Sequence, residues 1–511
     1  MIKVILLVLF FGVMVGVGIY CRRNATDVNG FVLGGRSVGP WLTAFAYGTS
    51  YFSAVIFIGY AGQFGWKYGI ASTWIGIGNA LVGSLLAWVI LGRRTRIMTQ
   101  HLNSATMPDF FGKRFSSKSL KIGASIITFI FLIPYTASLY NGLSRLFEMA
   151  FGIPYIWCII AMSVLTGIYV IAGGYMATAI NDFIQGLIMI VGIIAVIAAV
   201  LASKGGFMEA LNGLAAVTDE TVSSAPGAFN SFFGPDPLNL LGVVILTSLG
   251  TWGLPQMVQK FYAIKSEKHI RKGTIISTAF AFIVAGGCYF LGGFGRLFDV
   301  DVATLGFDAI IPQMLSGLPE ILIAIVVILV LSASMSTLSS LVIASSSTLT
   351  IDLLKGNIVK KMSQKKEVLI IRIFIVVFIL ISALIAIYQV YSKDDSVKFI
   401  AQLMGVSWGA LAGAFLAPFL YGLYWKKTTK IACWVSFIFG AGIMLLNLFA
   451  RPIFPVILQS PINCGAFAML SGLVIVPLVS LFTKKPEKTL VEESFACYEK
   501  KVPAAQKNSL D

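Results

Sequence analysis

Apolar runs of about twenty residues recur along this chain from one end to the other, and a run of that length crosses the roughly 30 Å of a bilayer's hydrocarbon as a helix. Thirteen are recognised, at 2–20, 40–65, 71–92, 122–147, 154–177, 180–202, 238–263, 273–296, 318–350, 367–392, 398–424, 431–449 and 464–482. Lipid offers no partner to a backbone N–H or C=O, so each run must satisfy its own hydrogen bonds, and the α-helix does this within one segment. The composition agrees: 57% of residues are hydrophobic and 12% charged, about half the charge of an ordinary soluble domain. The expected fold class is an all-α polytopic membrane protein.

Orientation follows from where the cations fall. The first run ends in Tyr20, Cys21, Arg22 and Arg23; a bulky tyrosine suits no signal cleavage site, and arginines after the run place that end in the cytoplasm. The run is read as an anchor with its N-terminus outside. Threading the others alternately puts thirty of the 38 Lys and Arg on one side, including seven from Arg93 to Lys121 and five from Lys260 to Lys272. The formal charge of +16 is thus a topology signal, with no call for nucleic acid. The C-terminus is expected in the cytoplasm, with residues 483–511 as a mobile tail. The six cysteines are scattered without a CxxC, so neither a disulfide framework nor a metal centre is expected, and no cofactor.

Three stretches make a membrane helix expensive. "LSASMSTLSSLVIASSS", residues 331–347, holds eight serines and one threonine, and Ala333, Ser336, Thr337 and Ser340 fall on one helical face. For Ser332, Ser334 and Ser345, back-bonding to a carbonyl or close helix packing suffices. "AFAYGTSYFSAV", residues 44–55, interrupts the second run with Gly48, Thr49, Ser50 and Ser53. "TSLGTWGLPQ", residues 247–256, interrupts the seventh with Gly250, Gly253 and Pro255, and a proline there removes a backbone donor. Gly48, Gly250, Gly253 and Pro255 are the expected helix breaks.

Runs two and seven are five apart, so the sets 2–6 and 7–11 enter the membrane in opposite senses. Paired broken helices in inverted halves mark the central site of a secondary transporter. The expected organisation is an anchor helix and loop at 1–39, repeats at 40–202 and 203–427, two further helices at 428–482, and the tail. Hydroxyls and freed carbonyls suit a hard monovalent cation, which needs no carboxylate cluster. Asp182, in "AINDFIQG", reads either as a helix N-cap or as an ion-path group.

Five stretches in order resemble the sodium/solute symporter family of sodium/proline, sodium/pantothenate and sodium/sugar symporters: "GGRSVGPWLTAFAYGTSYFSAVIFIGYAGQFGWKYG", "RLFEMAFGIP" with "GGYMATAINDFIQG", "LPQMVQKFYAIKS", "SMSTLSSLVIASSS" and "WGALAGAFLAPFLYGLYWKK". The resemblance implies a LeuT-like core of two inverted five-helix repeats working by alternating access in the plasma membrane. It implies sodium as the coupling ion, held by the carbonyls of Thr49, Phe52 and Ala333 and the hydroxyls of Ser336 and Thr337, with Asp182 near the inner sodium path. Tyr51 and Val55 stand where the sodium/proline symporter has an acidic residue and a tryptophan, which departs from proline recognition. Together with Ile56 they also stand where sugar-carrying members place hydrogen-bonding side chains, and leave a sugar's hydroxyls poorly paired, at about 1–3 kcal/mol each.

Candidate solute contacts are Tyr51, Phe52, Val55, Tyr135, Tyr140 and Trp252, which suit a small, partly apolar solute carrying a carboxylate: pantothenate, a monocarboxylate, or an amino acid such as proline. The partners implied are that solute, sodium and the lipid bilayer, with no obligate protein partner evident. A proton-coupled carrier working through Asp182 is the alternative. A channel filter such as TVGYG is absent from the sequence. "GVSWG" at 405–409 matches the GxSxG nucleophile pattern, but His101 and His269 both precede Ser407, against the chain order of that triad. Its glycines, with Gly413, read instead as a packing seam, and no enzyme is expected.

Overall fold

The computed structural model describes residues 2–355, 358–359, 362–391 and 400–499; the first two residues of the eleventh run and the tail at 500–511 lie outside them. Helix covers the apolar runs, though not one helix per run. Ten described helices are long and apolar enough to cross a membrane, or eleven if Pro237–Gly253 and Pro255–Ala263, bent by 47°, form one span. Runs five and six join in the 49-residue helix Tyr155–Ser203, kinked at Gly174 with φ 56°. Straight, it would measure about 74 Å at 1.5 Å per residue, far beyond one crossing. A side chain at Gly174 would also meet the backbone of Phe31 at 2.8 Å, so the turn there requires glycine on two counts.

The ninth run forms the axis of the molecule. Its helix Glu320–Ser347 continues to Leu354 as a wider π-helical turn, and every residue from 329 to 352 is buried. It lies among Tyr155–Ser203, Lys118–Phe151 and Gln364–Tyr391. Helix Ile400–Tyr424 packs against Lys430–Phe449 and Pro461–Phe482 along the expected seam, where a side chain added at Gly409 would meet Gly465 at 2.8 Å and one added at Gly413 would meet Ala468 at 2.9 Å. Runs two and eight pack backbone against backbone at Gly65 and Gly292, where an added side chain on either would clash with the other run. The surface carries exposed apolar side chains such as Val8, Trp157, Val191, Leu384 and Phe482, the face a lipid-bathed helix bundle presents.

Ion pairs and carbonyl contacts close the end of the bundle that carries most of the basic residues. Asp109 binds Lys121 at 2.8 Å, Lys121 binds Asp352 at 3.2 Å, and Lys355 binds Glu367 at 2.8 Å. Arg36 donates to the carbonyls of Tyr262 and Ser104 at 3.3 and 2.5 Å. The described part of the tail is packed against this end, contrary to a mobile reading. Helix Lys488–Phe495 and the residues after it place Phe495 4.8 Å from the Arg114 guanidinium and Tyr498 4.6 Å from that of Arg94, which also lies 4.1 Å from Tyr424 of helix Ile400–Tyr424. Planar guanidinium stacking of this kind holds the segment without a hydrophobic core of its own.

At the opposite end, Arg296 joins Asp219 at 2.7 Å and the Trp66 carbonyl at 2.5 Å. The hydrogen bond from Thr221 and the one from Arg296 hold the Asp219 carboxyl at about 2, below the usual carboxylate range.

Candidate functional site

The second and seventh runs break in the same way. Helix Pro40–Tyr51 ends at Phe52, extended at φ −81°, ψ 122°, and the chain resumes helical form from Val55. Helix Pro237–Gly253 ends at Leu254, at φ −82°, ψ 121°, and Pro255 opens the next helix at its first position, where a missing N–H costs nothing. Gly253 and Pro255 thus flank a true break. Gly48 and Gly250 do not: both lie inside continuous helix, and their missing side chains let Phe280 and Trp408 approach. The glycines serve packing, and the unwinding falls four residues beyond each.

A helix ending at Tyr51 leaves its last carbonyls without intrahelical donors, and the hydroxyl face of the ninth run meets them. Ser336 Oγ lies 3.0 Å from the carbonyls of both Thr49 and Ala333. Thr337 Oγ1 lies 3.3 Å from the carbonyls of Thr49 and Phe52 and 3.1 Å from that of Ala333. Five oxygens from two helices, three carbonyl and two hydroxyl, therefore share one buried point. The donor set is neutral, hard and oxygen-only, the chemistry that fits a single positive charge. Tyr169 reinforces it by donating to the Met335 carbonyl at 2.8 Å.

The other serines divide by role. Ser339, Ser340, Ser346 and Ser347 bond back to carbonyls three or four residues earlier. Ser332, Ser334 and Ser345 make no hydrogen bond, so of the two explanations offered for them only close helix packing applies. One turn beyond Ser336, Ser340 Oγ meets Ser50 Oγ at 2.7 Å and the Lys260 ammonium at 2.9 Å. Asp182 stands 3.7 Å from that ammonium. It lies in mid-helix and is buried, so it caps nothing. Lys260 is 2% exposed; the residue counted among solvent-facing cytoplasmic cations is in fact enclosed among four runs. Its sequence signal was weak, because it stands in a cluster of basic residues.

The candidate solute contacts separate into two groups. Tyr51 and Tyr135 come together around the Trp408 ring, with centroids 5.7 and 5.8 Å away. Ser53 lies beside Tyr135, and the Tyr289 phenol of run eight faces that of Tyr51. The hydroxyls of Tyr51, Tyr135, Tyr289 and Ser53 and the indole N–H of Trp408 are buried and face only one another, none at good hydrogen-bond geometry. Phe52 and Val55, also buried, border this cluster along run two. Two expected contacts fall elsewhere. Trp252 donates its indole N–H to the Val82 carbonyl at 3.0 Å, and Tyr140 faces Ser163 of run five, because five helical residues rotate it about 140° from Tyr135.

Trp408 and Tyr289 were missed. The tryptophan was hidden in a small-residue stretch that reads as a packing seam, and the tyrosine among ordinary aromatics of run eight. Beside them, Ser407 donates to the Phe131 carbonyl, a structural bond rather than a nucleophile's. Further along runs two and eleven, Gln63 and Gln402 line a cavity of about 770 Å³ with Lys67, Asp236, Arg451 and Asn463.

With this geometry in view, likeness to known proteins becomes informative. Residues 31–440 match the model of the "Sodium:solute symporter family". The chain is 28% identical over 507 residues to Sodium/proline symporter 2 of Staphylococcus saprophyticus, covering 94% of this chain and 93% of that one. It is 29% identical, with the same coverage, to the Sodium/proline symporter of Staphylococcus aureus. In fold it resembles a Na+-coupled sialic acid symporter solved in a substrate-bound outward-open state, with TM-score 0.76, 17% identity, and 96% and 99% of the two chains covered. It also resembles Mhp1, a nucleobase-cation-symport-1 family transporter in a closed conformation, with TM-score 0.51, 12% identity, and 91% and 97% covered. These neighbours share the LeuT-like fold, and they are transporters rather than enzymes. A match over most of the length, on a bundle of lipid-facing helices, makes this a multi-pass plasma-membrane protein. The chain belongs to the sodium:solute symporter family and is a sodium-coupled solute symporter.

Proposed function

We propose that the chain imports a small organic solute together with sodium by alternating access. Its sodium is held by the carbonyls of Thr49, Phe52 and Ala333 and the hydroxyls of Ser336 and Thr337. The observation that carries this reading is the convergence of those five oxygens at a helix break, where ion binding ties run two to run nine. Residues 40–202 and 203–427 act as the inverted repeats, a symmetry supported by the near-identical dihedrals at Phe52 and Leu254. Thirteen spans follow from the apolar runs, and an outside N-terminus and a cytoplasmic C-terminus from the distribution of Lys and Arg. The basic end closed by Arg36, Asp109, Lys121 and Asp352 is then the inner face.

The solute lies against Trp408, Tyr51 and Tyr135, beside Phe52 and Val55. Five buried polar groups that face only one another there can all donate a hydrogen bond, and an acceptor-rich carboxylate satisfies donors of that kind. The class is a small, partly apolar carboxylate: pantothenate, a monocarboxylate, or an amino acid such as the proline of the named relatives. Asp182 and Lys260 belong to the sodium path and not to solute recognition.

Thermal unfolding of the purified protein in sodium, potassium and choline tests the ion site without assuming a solute. Sodium at a hundred times its dissociation constant should stabilise the native state by about 2.7 kcal/mol, and Ser336→Ala with Thr337→Ala should abolish that gain. No sodium effect on the wild type, with uptake driven by a proton gradient and lost in Asp182→Asn, would overturn sodium in favour of proton coupling. Uptake into proteoliposomes of labelled proline, pantothenate and short monocarboxylates then identifies the solute.

A further inference from the structure

Lys260 is a buried ammonium in a part of the molecule where a charge is expensive. It lies in helix Pro255–Ala263, immediately after the break in run seven. Its Nζ donates to Ser340 Oγ at 2.9 Å, stands 3.7 Å from Asp182 and lies 5.1 Å from the centre of the Tyr175 ring. Ser340 in turn contacts Ser50 of run two at 2.7 Å. Runs two, six, seven and nine thus meet at one cation. Both carboxylate oxygens of Asp182 are buried and accept no hydrogen bond, so this ion pair is their compensation. Stability alone does not account for it, since apolar side chains commonly replace a buried pair at no cost.

Position gives the pair a different meaning. Ser340 is four residues beyond Ser336 on one helical face, about 6 Å along the axis. The hydroxyl face therefore has two cation-accepting ends: the five-oxygen point at Ser336 and Thr337, which is neutral, and the end at Ser340 and Ser50, which carries a carboxylate. By charge the second end is the stronger cation site, and a side chain already occupies it.

We propose that Lys260 is a resident cation: its ammonium fills the Asp182 end of the hydroxyl face, so that one free sodium binds per transport cycle. This rests on the sodium reading given above. The ammonium moves with run seven and never leaves, so it carries no net charge across the membrane. Removing it leaves a buried carboxylate beside two hydroxyls, an uncompensated arrangement that a second sodium satisfies.

Equilibrium binding of sodium-22 to the purified full-length protein at pH 8 tests this. Wild type should bind one sodium per chain, Lys260→Gln two, and Lys260→Gln with Asp182→Asn one again, while Lys260→Arg, which keeps a cation, should remain at one. A single sodium in Lys260→Gln, or two in wild type, overturns the resident cation and leaves the symport reading standing. No sodium bound by wild type removes the five-oxygen site itself, and both readings fall together. Should Lys260→Gln fail to fold, the sodium-to-solute ratio of the wild type, read from its reversal potential in proteoliposomes, still decides: a ratio of two overturns the proposal.

Discussion

At the level of single residues, Trp408 does the most to shape the candidate solute site. Its ring is the surface on which Tyr51 and Tyr135 rest, and its indole N–H is buried with no partner at good hydrogen-bond geometry. Trp408→Phe keeps an aromatic surface and removes the donor. Loss of a hydrogen bond to a charged group is worth about 1.5–3 kcal/mol, so the solute KM should rise about tenfold or more while sodium-induced thermal stabilisation stays unchanged. Uptake kinetics beside thermal unfolding separate the two effects. Trp252→Phe, whose indole already serves the Val82 carbonyl, should leave KM near the wild-type value and lower stability instead, by about 0.5–1.5 kcal/mol. Nothing in the sequence around these tryptophans distinguishes them; both stand among glycines on apolar helices. Only their neighbours across the bundle distinguish the Trp252 indole, bound to the Val82 carbonyl, from the Trp408 ring between Tyr51 and Tyr135.

At the level of elements, the breaks in runs two and seven carry the proposed mechanism. Both were legible as interrupted helices, but of the four residues expected to interrupt them only Gly253 and Pro255 stand at a break. Gly48 and Gly250 looked like the weak points and turned out to be contact points, while the extended residues are Phe52 and Leu254. Helix propensity is a local quantity of about 1 kcal/mol for glycine, and the packing of Phe280 and Trp408 overrides it. Pro255 does act where expected. In Pro255→Ala the restored N–H allows the helix to continue through Leu254, so solute uptake should fall at least tenfold while the unfolding midpoint holds or rises. A midpoint that dropped with uptake intact would contradict the break's role in transport.

The loop that carries Asp219 offers a test at the same scale. Hydrogen bonds from Thr221 and Arg296 hold the Asp219 carboxyl at about 2, against about 3.9 unfolded. A depressed carboxyl contributes stability that is fully present above its unfolded value and lost as pH falls through its folded one. The difference in unfolding midpoint between wild type and Asp219→Asn should therefore stay constant from pH 7 to about 5 and disappear towards pH 2.

For the whole molecule, the charge moved per cycle is the property that matters. One sodium crossing 100 mV provides about 2.3 kcal/mol, and a tenfold sodium gradient about 1.4 kcal/mol. With a single sodium and a monovalent carboxylate the cycle moves no net charge. Uptake of such a solute by proteoliposomes should then respond to the sodium gradient and stay within about twofold when a potassium diffusion potential is imposed. A zwitterion such as proline should instead be taken up faster when the interior is negative. Potential-driven accumulation of a monovalent anion would require a second sodium and would contradict the resident ammonium of Lys260.

The sequence alone determined that the chain lies in a membrane as a helical bundle, because runs of twenty apolar residues have no other way to satisfy their backbone in lipid. It also determined which hydroxyls face together on run nine, because helical periodicity is local and survives any packing. Periodicity and the family pattern together named Ser336 and Thr337, and the fold brings those two residues to the carbonyls of Thr49 and Phe52. Tertiary structure decided what depends on distance between runs: that Trp408 and Tyr289 join Tyr51 while Trp252 and Tyr140 turn away, and that Lys260 leaves its basic cluster for Asp182. These contacts join residues 78 to 357 positions apart in the chain. No local rule of propensity or spacing reaches that far, and only the packing of one helix on another places such side chains within a few ångströms.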